Sequence, residues 1–119
     1  MGTTNDANVY RIKNATSAGE IILSYDKLRK AVLVLRAINH QLRQTIIELL
    51  EECESLTVTE IYVKLRLEQS VASQHLAILR RAGVVVTERK GKHIYYQLDK
   101  TRLNDISELV DDLAFETKS

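Results

Sequence analysis

Between Gln69 and Lys92 lie two groups of side chains suited to one kind of chemistry, hydrogen bonding to a polyanion and to the edges of its bases. Gln69, Ser70, Ser73 and Gln74 carry short or forked donors and acceptors, and Arg80 and Arg81 follow at the end of the same segment. On a helix these six fall on one side with Ala77 near their centre. Leu67, Val71, Ala72, Leu76, Ile78, Leu79 and Ala82 fall on the other. Gln and Ser can pair with base edges in a major groove, and a guanidinium fork matches phosphate oxygens. The second group, Arg89, Lys90 and Lys92, clusters around Gly91. Each group alone reads as a solvated helix face or a charged turn. Their succession, a polar-striped helix and then a basic turn, points instead to double-stranded DNA as the partner.

Other chemistries find little to work with. The four glycines, at positions 2, 19, 83 and 91, build no phosphate-cradling loop, and the three histidines have no companion ligands. No catalytic residue, metal site or cofactor is expected, and the chain does not read as an enzyme. His75 sits inside the apolar arc of its helix and reads as a packed, hydrogen-bonded histidine rather than a base reader. Tyr95 suits phosphate contact and strand cover equally. Cys53, the single cysteine, reads as structural, with a thiol switch as the other possibility.

The net charge of +1 conceals an asymmetry. Lys64 to His93 holds seven basic and two acidic residues, a net +5, whereas Asp99 to the C-terminus holds six acidic and three basic residues, a net −3. One end suits phosphate and the other repels it. With 45% hydrophobic and 28% charged residues in 119, composition is that of a single globular domain without a membrane-spanning run. No leader is expected, and the cytoplasm is the expected location.

The elements that position these residues follow from period and capping signals. Residues 1–18 read as a polar, flexible tail, and 19–119 as one domain. Ser17 and Glu20 have capping-box spacing, which predicts a long first helix carrying Ile21, Ile22, Tyr25, Leu28, Val32 and Leu35. Asn39 is expected to end it and cap a second helix with Leu42, Ile46, Leu49 and Leu50 inward. Thr57 and Glu60 form a second capping box before a short third helix. The polar-striped fourth helix ends at Gly83. Two strands follow, the second alternating Ile94, Tyr96, Leu98 against His93, Tyr95, Gln97. Asp99 or Thr101 caps a last helix striped with Leu103, Ile106, Leu109, Val110, Leu113 and Phe115. The fold class is mostly α with a small β-hairpin, a winged helix-turn-helix ordered α-α-α-α-β-β-α.

From about Val32 to Leu98 the chain resembles the ArsR/SmtB winged-helix repressors. LRAINHQLRQTIIELL looks like the family's first two helices, SLTVTEIYVKL its third, QSVASQHLAILRRAGVV its recognition helix and ERKGKHIYYQL its wing. The resemblance implies a sequence-specific transcriptional repressor relieved by a signal; the residues leave open whether that is a small molecule, a redox event or none at all. It also implies a homodimer through the first and last helices, with Ile21, Ile22, Tyr25, Leu103, Ile106, Val110 and Leu113 at the interface. The apolar outer helices support the dimer independently. Asn39-His40 replaces a common proline, and Glu68 a usual Ser or Thr cap. The third helix lacks Cys and His and the last lacks His, so the family's metal sites are not expected. The rival reading is a winged-helix module that contacts protein rather than DNA.

Overall fold

The computed structural model describes residues 9–16 and 19–114. They form β1 (Val9–Thr16), β2 (Gly19–Ser24), α1 (Tyr25–Ile38), α2 (Gln41–Cys53), β3 (Leu56–Thr57), α3 (Val58–Leu65), α4 (Gln69–Arg81), β4 (Val85–Lys90), β5 (His93–Leu98) and α5 (Lys100–Ala114). The chain divides into two compact units, residues 1–34 and 35–119, and α1 runs across the division. Ser17 and Phe115, named above, lie outside the described residues.

In the first unit β1 and β2 pair antiparallel, with Val9 opposite Ser24 and Ile12 opposite Ile21. This corrects two expectations. Val9–Thr16 is a strand rather than part of a flexible tail, and Ile21 and Ile22 lie in β2 rather than on the first helix. The physical reason is local. Ile21 and Leu23 face equally apolar Ile12 and Tyr10 across the pair, and Ile22 between them is β-branched and faces Arg11. Gly19, at φ +116°, reverses the chain. Glu20 pairs across the strands with Arg11 at 3.5 Å, so it is not a helix cap. The helix begins after Ser24, whose Oγ accepts the Lys27 N–H at 3.2 Å.

The second unit builds its core from Ile46 and Leu50 of α2, Leu56 of β3, Ile61 of α3, Ala72, Leu76 and Leu79 of α4, and Val84 and Val85. Burying each of the larger aliphatic side chains stabilises the fold by about 1.5–3 kcal/mol. The cap of α2 is His40 rather than Asn39, because His40 Nδ1 accepts the Leu42 N–H at 3.2 Å. The last carbonyls of α1 are met from α2: Arg43 Nε donates to Ala37 O at 2.6 Å and Gln44 Nε2 to Ile38 O at 3.0 Å. A helix that ends without glycine or proline is thereby closed.

The capping box of α3 is present, with Glu60 N–H donating to Thr57 Oγ1 and Thr57 N–H to Glu60 Oε1. Arg66 then takes the left-handed conformation, φ 57°, and Leu67 N–H reaches back to Tyr62 O at 2.9 Å. This closed turn fixes the angle between α3 and α4. After α4, Gly83 at φ +78° turns the chain into β4. The sheet has three strands rather than two, ordered β3-β5-β4, with Leu56 and Thr87 flanking Tyr96. Asp99 caps α5 by accepting the Arg102 N–H at 3.0 Å.

Candidate nucleic-acid interface

The two sides of α4 have opposite fates. Ala72, Leu76 and Leu79 are completely buried, while Gln69, Ser70, Ser73, Gln74, Ala77, Arg80 and Arg81 are exposed. Among the described residues no polar side chain of that outer face has a hydrogen bond or ion pair. Such a face is not used to hold the fold. Arg80 and Arg81 sit in the last helical turn, where the helix dipole favours positive charge, so their placement costs little. At the other end Glu68 makes no side-chain cap, which leaves the first-turn N–H groups of α4 without a side-chain acceptor. All six expected helix residues therefore share one open surface.

The wing separates its expected residues. Lys90 pairs with His93 across the two-residue turn Gly91-Lys92, with Gly91 at φ +63°. This is the reversal that glycine makes easy in a tight hairpin. Strand alternation puts Arg89 on the face shared by Thr87, Ile94 and Tyr96, and Lys90 on the face of Tyr95 and Gln97. Lys90 Nζ lies 5.5 Å from the centroid of the Tyr95 ring, close enough for a cation–π contact, and the His93 ring meets Tyr95 edge-on. Tyr95 is thus a covered strand residue on the Lys90 side. Arg89 and Lys92 are exposed, and neither has a partner among the described residues.

His75 is half-buried and hydrogen-bonded, as its place in the apolar arc suggests. Its Nδ1 lies 3.2 Å from Arg43 Nη1, and its ring stands 4.8 Å from that of His40. Arg43 can only donate, so His75 Nδ1 is the acceptor and its proton sits on Nε2. Burial, then His40 and Arg43, holds its pKa below the usual imidazole value. The sequence places Tyr96 on one face of its strand but gives it no part in the site. Tyr96 lines a groove of 450 Å³ with Ser73, Ala77, Arg80 and Arg81, from its place on β5, the central strand of the sheet.

The expected interface residues are also accounted for. Ile22 is 54% exposed and Tyr25 41%, and Ile21 is exposed in β2. On α5, Leu103 and Ile106 are half-buried and Val110 and Leu113 exposed, Leu113 at 70%. Among the described residues no group of three or more His, Cys, Asp or Glu side chains could hold a metal ion. Cys53 is half-buried and free. No helix among them is long and apolar enough to cross a membrane.

Residues 40–87 match the sequence model of the bacterial regulatory proteins of the arsR family. A transcriptional regulator of the helix-turn-helix type from Methanocaldococcus jannaschii is 34% identical over 88 residues, 74% of this chain and 99% of that protein. The transcriptional activator HlyU of Vibrio cholerae is 40% identical over 81 residues, 68% of this chain and 74% of that one. The solved structure of the transcriptional repressor PagR of Bacillus anthracis superposes with a TM-score of 0.60 at 32% identity, covering 73% of this chain and 99% of PagR. With its α2-α3-α4 frame, its two-stranded wing and these relatives, the chain belongs to the arsR family of regulatory proteins.

Proposed function

We propose that the protein is a dimeric transcriptional regulator that binds double-stranded DNA sequence-specifically, with α4 in the major groove and the wing alongside. The observation that carries this is the outer face of α4, exposed and free of internal partners among the described residues while Ala72, Leu76 and Leu79 of its inner face are buried. Gln69, Ser70, Ser73 and Gln74 read base edges, and Arg80 and Arg81 hold phosphates. Arg89 and Lys92 extend the grip at the wing, with Lys90 contributing charge from the opposite strand face. The named relatives include a repressor and an activator, and we place this chain with the repressor PagR. A signal relieves its repression.

A homodimer follows from surfaces that one chain leaves bare. α5 has no buried residue, yet it carries an apolar stripe of Leu103, Ile106, Leu109, Val110 and Leu113. A helix of this length is marginal in water unless that stripe is covered. Ile21, Ile22 and Tyr25 present a second apolar surface. A second copy covers both, which gives the operator two-fold symmetry.

Selection of duplexes from a random pool tests the proposal. The expected result is an enriched, two-fold symmetric sequence with half-sites about 34 Å apart or a multiple of that. The triple change Gln69→Ala, Ser73→Ala, Gln74→Ala should erase the preference and leave salt-sensitive general binding. A pool that stays random with the unaltered protein would overturn the proposal.

A further inference from the structure

The groove between α4 and the wing has a chemistry more specific than a basic surface. Its α4 wall is Ser73, Ala77, Arg80 and Arg81, spaced i, i+4, i+7 and i+8, so these residues form one stripe along the helix. Its other wall is Tyr96. Ala77 is exposed and has no side chain beyond Cβ, so the floor stays low where its neighbours rise. Tyr96 is held on both sides by the sheet, opposite Leu56 of β3 and Thr87 of β4. Among the described residues its hydroxyl has no hydrogen-bond partner, and neither do Ser73, Arg80 or Arg81. No carboxylate lines the groove.

Two guanidinium groups, a phenol and an aliphatic hydroxyl therefore line one open groove with no carboxylate among them. The guanidinium groups donate only, and each hydroxyl can donate. A base edge mixes donors with acceptors and is read by amides and hydroxyls as well as by guanidinium groups. A phosphodiester offers only acceptors, carries one negative charge per unit and is slim enough to lie over an alanine. Of these two parts of a duplex, the second is the better match to two guanidinium groups with no carboxylate beside them.

We propose that this groove seats the phosphodiester backbone of one DNA strand, with the Tyr96 hydroxyl, Arg80 and Arg81 donating to its phosphate oxygens. The inference rests on the DNA-binding reading and adds Tyr96 as a positioning residue. Because Tyr96 belongs to the central strand of the sheet, its bond to a phosphate sets the depth at which α4 enters the major groove. Arg89, on the same face of the hairpin, continues the track toward the wing tip.

The test uses the full chain, a selected duplex and an unrelated one, with binding followed across a range of salt. Tyr96→Phe keeps the ring and its packing and removes only the hydroxyl. It should weaken both duplexes alike by about tenfold, the loss of one hydrogen bond to a charged group. It should leave the salt slope unchanged, since no charge is removed. Arg80→Gln and Arg81→Gln should each reduce the magnitude of the slope by about 0.9. Ala77→Leu, on an exposed position, should weaken binding with no change in thermal unfolding. Replacing phosphates one at a time by neutral methylphosphonate should then locate the contact. At one position the unaltered protein loses affinity while Tyr96→Phe loses nothing further, a non-additivity that a packing role does not produce. If the protein selects a duplex and both Tyr96→Phe and Ala77→Leu hold it at full strength, the groove assignment fails while the functional reading stands. If no duplex is selected at all, both fail.

Discussion

Arg43 and Arg81 carry the same side chain and are employed in opposite ways. Arg43 donates to the carbonyls of Ala37 at 2.6 Å and Arg36 at 3.4 Å, and lies 3.2 Å from His75 Nδ1. Arg102 behaves similarly, donating to Ala82 O at 3.3 Å and packing over Gly83. Arg80 and Arg81 hold nothing within the described residues. Two basic sets thus coexist, one tying helix ends together and the other kept for a partner. A count of basic residues cannot separate them. What separates them is where their donors go, and a charge that the fold does not need points to something outside it.

The comparison can be broken at four places. The largest effect belongs to Arg43→Ala, which strips donors from the closing turn of α1 and should cost about 2–3 kcal/mol in urea unfolding. Arg81→Ala should stay within about 0.5 kcal/mol. Equal costs would erase the distinction. Next, Arg80→Ala with Arg81→Ala should lower DNA affinity by about 10- to 100-fold, roughly 1.4–2.8 kcal/mol, and flatten the salt slope by about 1.8. Binding that ignored both changes would return these residues to plain solvation.

The third effect is smaller and depends on pH. His75 binds a proton less readily in the folded chain than in the unfolded one, chiefly because burial disfavours its charged form. Its contribution to stability is therefore complete above the unfolded value of about 6.5 and fades as pH falls below that. His75→Gln keeps an acceptor for Arg43 and should flatten the loss of stability in mildly acidic buffer. An unchanged acid limb would show that other groups set it. Smallest is Asp26→Asn. Its pairs with Arg29 at 3.4 Å and Lys30 at 3.3 Å are exposed, so melting should register at most about 0.5 kcal/mol. A larger loss would mean that surface pairs carry more of this fold than the Arg43 junction implies.

The two hairpins show what the sequence made legible. In the wing, a glycine turn and alternating side chains over a buried Val85 leave one possible register, so the strands could be read directly. In β1 and β2 the apolar residues do not alternate, and Ile21-Ile22-Leu23 fits a helical stripe as well as a strand. Ser17 and Glu20 then imitate a capping box. Neither side of the hairpin has a core to declare itself against, since Tyr10, Ile22 and Leu23 are all exposed. The polar arc of α4, the Thr57–Glu60 box and the Asp99 cap were readable because each is a local pattern of a few residues. β3 was not, because a two-residue strand exists only through its pairing with β5. The alternation of β5 shows the face of Tyr96, but only that pairing makes its strand the central one. His40 was overlooked as a cap because an imidazole nitrogen is a less common acceptor there than the side chain of Asn39.

Amide chemical shifts of labelled protein titrated with a selected duplex test the central claim most directly. Perturbations should concentrate on Gln69–Arg81 and on Thr87–His93, with Arg43 and the α1 carbonyls it holds little changed. Shifts confined to α1 and α5, with α4 silent, would contradict it.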